Sequence, residues 1–183
     1  MENPIRSPLF PWLLSLPYRL LKVLDLDNTE LIVIAPRIFQ FIVAVLFDVY
    51  LVKLNRLISG DKADWHILLL SYTSYVSVFK LGATLINNIE CVLTLIALYY
   101  WYRRHQGYND VVSRAFVLVC FCMRGTSIMF WVLVWPYELL TMPGNMATRL
   151  RFILKNLLWV AAMVLSSIFV AYLYYGKPHF VEY

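Results

Sequence analysis

The chain has 183 residues, of which 61% are hydrophobic, 16% aromatic and only 15% charged. A soluble domain of this length does not need so much apolar surface, so the composition argues against a soluble fold and predicts a polytopic membrane protein. The net charge of +5 comes from scattered lysines and arginines, with no dense basic block of the kind that binds nucleic acid.

The apolar segments predict an all-α membrane bundle, a single membrane domain over residues 1–183 with about five transmembrane helices. The first segment, residues 8–24, is short and broken by prolines, so it either lies in the interface or crosses as a sixth, kinked helix. Asn28 is the candidate N-cap of the helix that follows. Further helices are expected near residues 31–52, 66–85, 87–102, 114–135 and 152–175, with polar loops at 53–65, 103–113 and 136–151.

Polar side chains inside the second apolar segment fall on one helical face. Arg37, Phe41, Ala44 and Asp48 follow helical spacing, and we expect this face to look into the protein. The face is either a polar seam beside a ligand cavity or a contact between helices.

The stretch over residues 66–102 is almost wholly apolar, yet Asn87, Asn88 and Glu90 lie inside it. A carboxylate is costly in lipid, so Glu90 is expected at a membrane edge or facing a protein-lined cavity. The alternative is that the three side chains cap the helix over 87–102.

Arg124 lies in the middle of the segment 114–135. An arginine at that depth is expected to reach an anionic group such as a phosphate, or to pair with a carboxylate such as Glu90. The three cysteines, Cys91, Cys120 and Cys122, lie in apolar segments without a CxxC pair. They are expected to be inert core thiols, with no disulfide framework and no metal site.

Five stretches carry a family pattern in order: IRSPLFPWLLSLPYRLLKVLDLD, APRIFQFIVAVLFDVYLVKL, LINNIECVLTLIALYYW, RGTS at 124–127 and YYGKPHFVEY. In these stretches the chain resembles glycosyltransferase family 22, the dolichol-phosphate-mannose-dependent mannosyltransferases. It is most similar to the branch that adds the third mannose to the core of glycosylphosphatidylinositol (GPI).

The resemblance implies a multi-pass enzyme of the endoplasmic reticulum membrane that needs no cofactor. Its partners would be membrane lipid, the lipid-linked donor dolichyl-phosphate-mannose and a glycolipid acceptor, a precursor of the GPI anchor. From the family's motifs and from the charges at the matching positions, we expect the substrate-binding residues to be Arg6, Arg37, Asn87, Glu90 and Arg124. No catalytic residue is assigned.

The chain also departs from the family pattern. Ala83 stands where the family has the arginine of a Thr-Arg-Thr triplet, Gly125 replaces the proline after Arg124, and no histidine followed closely by Asp-Glu occurs. Because the acidic motif would supply the catalytic base, we expect residues 1–183 alone not to transfer mannose.

Two alternatives to this function remain open. The chain is either a mannosyltransferase of lipid-linked N-glycan precursor assembly or a non-catalytic accessory or assembly subunit of a membrane complex. A reading frame upstream of Met1 that encodes a luminal loop with His-x-Asp-Glu would favour the enzyme.

Charge and resemblance predict different membrane sides. If residues 8–24 do not cross, the loops 53–65 and 103–113 lie on the cytoplasmic side, as the positive-inside rule prefers. If they cross, both Ile5 and Phe180 are luminal, as the resemblance implies. We favour the second arrangement, because a catalytic scaffold fixes topology more strongly than a few charges in short loops.

Overall fold

The computed structural model describes residues 7–26, 28–60, 64–73, 86–104, 107 and 110–175. They form seven α-helices and one 3₁₀ turn, and none of the described residues is in a β-strand, so the all-α prediction is confirmed. The helices are α1 (Leu9–Val23), α2 (Thr29–Ser59), α3 (Asp64–Thr73), α4 (Ile86–Arg103), α5 (Asp110–Met123), α6 (Ile128–Thr141) and α7 (Met146–Tyr175), with the 3₁₀ turn at Gly125–Ser127. The predictions for Arg6, for residues 74–85 with Ala83, and for the closing run from 176 lie outside the described residues.

The chain divides into two compact units. The first, the N-terminal unit, is Phe10–Phe116, where α2 packs against both α3 and α4. The second, the C-terminal unit, combines Met1–Leu9 with Val117–Tyr183 and contains the 3₁₀ turn, α6 and α7.

Two of the described helices, α2 and α7, are long and apolar enough to cross a membrane. At about 1.5 Å of rise per residue, each is longer than the ~30 Å hydrocarbon core of a bilayer. Few of their side chains are buried within the chain: Gln40, Val43, Leu54 and Asn55 on α2, and Phe152, Asn156, Met163 and Ala171 on α7. Most of their apolar surface is exposed, as in helices that contact lipid or other protein.

The prediction of one continuous helix over 114–135 is wrong, because the chain forms two helices, α5 and α6, with a break at Arg124. Gly125 and the β-branched Thr126 are poor helix formers, and they follow the arginine directly. The helices also extend further than predicted, from Asp110 on one side to Thr141 on the other.

Two of the predicted polar loops are shorter than expected. Helix α2 continues to Ser59, through residues taken as loop, because Leu54 and Asn55 are buried and keep the helix packed. Gly60 then ends it with φ 75°. In the loop predicted at 136–151, only residues 142–145 are non-helical.

The prediction that one face of α2 looks into the protein is wrong for two of its four residues. Arg37 is exposed and Phe41 is 68% exposed, whereas the buried side chains of the same stretch are Gln40 and Val43. The segment 31–52 is apolar nearly all round, so its hydrophobic pattern did not indicate which side packs inward.

Three local predictions were also wrong in part. Asn28 does occupy the N-cap of α2 with an extended backbone, but its side chain makes no capping hydrogen bond. Asn87 follows the first residue of α4 and so is not its N-cap. All three cysteines are free thiols, yet Cys91 is exposed because it lies away from the face of α4 that buries Asn88 and Val92.

Candidate functional site

The break between α5 and α6 interrupts the helical backbone of the C-terminal unit at Arg124. Arg124 is extended, with φ −155° and ψ 113°, while its own N–H still donates to the Cys120 carbonyl across 2.9 Å. The 3₁₀ turn then closes with the Ser127 N–H donating to the Arg124 carbonyl at 3.0 Å. An arginine therefore lies directly before a helix start, inside an otherwise apolar stretch.

Ser7 holds the end of α5 next to this break. Its Oγ donates to the Cys122 carbonyl over 2.6 Å, and both groups are buried. The last carbonyls of a helix have no partner within that helix, and the Ser7 hydroxyl satisfies one of them. The same Oγ accepts from the Leu9 N–H at 3.3 Å, which ties the start of α1 to the same point.

This contact joins two stretches that carry the family resemblance. Ser7 belongs to the Ile-Arg-Ser stretch, and Cys122 lies two residues before the Arg-Gly-Thr-Ser stretch. They are 115 residues apart in sequence. Arg6 lies outside the described residues.

The arrangement at the turn is suited to an anion. The N-terminus of a helix carries the positive end of the helix dipole, which stabilises negative charge. A guanidinium adds a full positive charge and a planar set of donors that matches a phosphate. Together, the guanidinium of Arg124 and the nearby start of α6 place two sources of positive potential at this turn.

Buried polar groups continue from the turn along one face of α6. Ser127 is 6% exposed, Trp131 1% and Glu138 5%, at positions four and eleven residues from the first. The Ser127 hydroxyl and the Trp131 indole N–H have no hydrogen-bond partner among the described residues. Sequence reasoning missed this face; its only signal was the helical spacing of the three residues.

The N-terminal unit holds the remaining predicted site residues. Arg37 and Asn87 are exposed and Glu90 is half-buried. Asp48 accepts a hydrogen bond from the Tyr72 hydroxyl at 3.1 Å, so α2 and α3 are linked at the polar position of α2. Arg124 belongs to the other unit, and its pairing with Glu90 stays a prediction.

Two further buried polar residues of this unit were not predicted as such. Gln40 is 1% exposed, and its Oε1 has no partner among the described residues. Arg114 is buried and donates to Asp110 one turn earlier at 2.5 Å. The i, i+4 spacing of Asp110 and Arg114 was the available signal.

The family profile and the individual relatives that match this chain are all mannosyltransferases. The sequence profile of the Alg9-like mannosyltransferase family matches residues 1–183. A mannosyltransferase from Arabidopsis thaliana is 33% identical over 90% of this chain and 30% of its own length. GPI mannosyltransferase 3 from Yarrowia lipolytica is 31% identical over 96% of the chain and 34% of its own length.

The human protein GPI alpha-1,2-mannosyltransferase 3 is 25% identical over 98% of the chain and 32% of its own length. The chain thus spans about a third of the length of these relatives. No solved structure matches it. Because the profile covers the whole sequence, the family predicted from the five stretches is confirmed, and the chain belongs to the Alg9-like mannosyltransferase family.

Proposed function

We propose that this chain forms part of a mannosyltransferase that extends the GPI-anchor precursor in the endoplasmic reticulum membrane. The donor is dolichyl-phosphate-mannose, and the chain crosses the membrane five or six times, with α5 and α6 as one broken crossing. The observation that carries the proposal is the contact of Ser7 with Cys122, which brings two family stretches to the turn at Arg124. Relatives named GPI mannosyltransferase 3 support the choice of acceptor.

The substrate-binding residues proposed are Arg6, Arg37, Asn87, Glu90 and Arg124. Arg124 has the central role, because mannose transfer from a lipid phosphate requires a cation or helix-end donor to stabilise the departing phosphate. A carboxylate must also take the proton of the acceptor hydroxyl. Neither Glu90 nor Asp48 lies in a recognisable base motif, so the proposal assigns no catalytic base among residues 1–183.

A chimera tests this proposal directly. In GPI mannosyltransferase 3 from Yarrowia lipolytica, the region matched by this chain is replaced with residues 1–183, and the chimera is expressed in cells that lack that enzyme. Surface GPI-anchored proteins and mannose transfer in microsomes are measured. We expect the chimera to restore both, whereas residues 1–183 alone should restore neither.

The role of Arg124 is tested in the same chimera. Loss of one transition-state donor typically costs about 10²–10³ in rate, so we expect Arg124→Gln to lose activity in that range. Arg149→Gln removes the same charge from an exposed position on α7 and should leave the activity unchanged. A chimera that reaches the membrane but never restores anchored proteins would contradict the proposal and favour an accessory role.

A further inference from the structure

Cations and aromatic rings form a group of their own in the N-terminal unit, away from the residues proposed for mannose transfer. We call it the cation–aromatic patch; its members are Tyr50, Lys53, Tyr99, Trp101, Arg103 and Arg104. The ring of Tyr50 on α2 meets that of Tyr99 on α4 edge to face, with centroids 5.5 Å apart. Lys53 follows Tyr50 by about one turn, and Arg103 follows Tyr99 by one turn.

Each cation of the patch lies over a ring. The Lys53 Nζ is 4.9 Å from the centre of the Tyr50 ring, and the Arg103 Cζ is 5.5 Å from that of Tyr99. Arg103 also donates from Nη1 to the Tyr99 hydroxyl across 3.1 Å. The Arg104 Cζ is 5.0 Å from the Trp101 ring. Because ring faces attract cations, these contacts hold three positive heads in place before any ligand arrives.

The surroundings of the patch carry an excess of positive charge. Residues 48–64 and 97–116 contain the basic residues Lys53, Arg56, Lys62, Arg103, Arg104 and Arg114, against the acids Asp48, Asp61, Asp64 and Asp110. Even if each acid neutralises one base, positive charge is left over. The complementary ligand is therefore an anion.

The position of the patch identifies the kind of anion. Helix α2 is long and apolar enough to cross a membrane, and it carries Tyr50 and Lys53 in its C-terminal part. Tyrosine, tryptophan and basic residues together are typical of the boundary between hydrocarbon and headgroups. Arginine matches a phosphate with paired donors. We propose that the cation–aromatic patch binds the phosphate-bearing headgroup of an anionic phospholipid of the surrounding bilayer.

Phosphatidylserine is the probe for this site, because it is neither a mannose donor nor a GPI precursor. Binding of a fluorescent phosphatidylserine to the detergent-solubilised chain is titrated, with phosphatidylcholine as the uncharged comparison. A basic residue near an anionic surface contributes about fivefold in binding, so Lys53→Gln/Arg103→Gln/Arg104→Gln should bind at least about tenfold more weakly than the unmodified chain. Lys53→Gln alone leaves α4 intact and should lose about threefold to fivefold.

A control variant removes the same charge elsewhere. Arg149→Gln/Arg151→Gln/Lys155→Gln replaces three exposed basic residues of α7 and should change binding by less than about twofold. Equal losses in the two triple variants, or no loss at Lys53→Gln in a chain of unchanged helicity, would overturn the proposal. So would displacement of the lipid by inorganic phosphate, which would make free phosphate the ligand. The outcome is independent of mannose transfer, so the two proposals fail separately.

Discussion

At the scale of single residues, two buried serines should respond in opposite ways to the loss of their hydroxyl. Ser127 is buried, and its Oγ has no hydrogen-bond partner in the part of the chain that the structure describes, whereas the Ser113 Oγ donates to the Ala97 carbonyl at 2.8 Å. Desolvation of an unpaired hydroxyl costs about 1–3 kcal/mol, and a typical bond contributes about 0.5–1.5 kcal/mol. Ser127→Ala should therefore raise the free energy of unfolding, and Ser113→Ala should lower it.

The measurement for both serines is unfolding in detergent, followed by circular dichroism as sodium dodecyl sulfate is added. Ser15→Ala serves as the comparison, since its Oγ bonds the Trp12 carbonyl of its own helix at an exposed position. A fall in stability with Ser127→Ala as large as that with Ser113→Ala would contradict the prediction. It would mean that the Ser127 hydroxyl has a partner in the membrane-embedded chain.

The ion pair of Asp110 and Arg114 gives a second prediction at this scale. Arg114 is 5% exposed and Asp110 17% at their side chains, so Asp110→Asn leaves a buried guanidinium without its carboxylate. Hydrogen bonds to charged groups contribute about 1.5–3 kcal/mol, and we expect a loss of stability in that range. In a double-mutant cycle, the variant Asp110→Asn/Arg114→Met should lose less stability than the sum of the losses of Asp110→Asn and Arg114→Met. Additive effects would show that the pair contributes nothing of its own.

The residue scale also shows what the sequence does and does not determine. The spacing of Asp110 and Arg114 within one helix was visible, because i, i+4 partners are adjacent on any helix. The bond from Ser7 to Cys122 was not, because it joins residues far apart in sequence and depends on tertiary packing. Family resemblance pointed to both stretches, and only the structure shows that Ser7 of the first contacts Cys122, two residues before the second.

At the scale of elements, the end of α2 depends on one glycine. Gly60 has φ 75° and ψ −179°, a region open essentially to glycine alone, while its N–H bonds the Arg56 carbonyl at 3.1 Å. A larger residue would not clash with its neighbours, because nothing lies within 4 Å of a Cβ added at Gly60. Gly60→Ala should cost about 1–3 kcal/mol through the backbone, whereas Ser59→Ala should be nearly neutral. Unfolding of the two variants checks this, and equal stability would contradict it.

Element boundaries were the least predictable part of the fold. The helices of three long apolar runs, α2, α4 and α7, were placed correctly. Their ends were displaced, because polar side chains such as Asn55 are compatible with a buried helix when tertiary packing provides partners. The break at Arg124 had a signal in Gly125 and Thr126, but an isolated glycine in an apolar run does not by itself distinguish a break from a continuous helix.

At the scale of the whole molecule, the open question is which side of the membrane each loop faces. The cation–aromatic patch bears on it, since Lys53, Arg103 and Arg104 lie beside the two loops that the positive-inside rule assigns to the cytoplasm. If these cations bind lipid headgroups, that role accounts for their position in the chain. They are then weaker evidence for the cytoplasmic side than the positive-inside rule assumes. We expect the loops 53–65 and 103–113 to be luminal, as in the family arrangement, because a catalytic scaffold fixes topology more strongly than a few charges in short loops.

Cysteine labelling in sealed microsomes tests this arrangement. Ser59 is the last residue of α2 and exposed, so Ser59→Cys places a thiol beyond the membrane-spanning part. Cys91 is exposed and is replaced by serine beforehand, while Cys120 and Cys122 are buried and can stay. A membrane-impermeant maleimide should label Ser59→Cys only after the microsomes are permeabilised. Asn145→Cys, one predicted crossing beyond the loop 103–113, should be labelled without permeabilisation. Labelling of Ser59→Cys in intact microsomes would instead place these loops in the cytoplasm, with residues 8–24 lying in the interface rather than crossing.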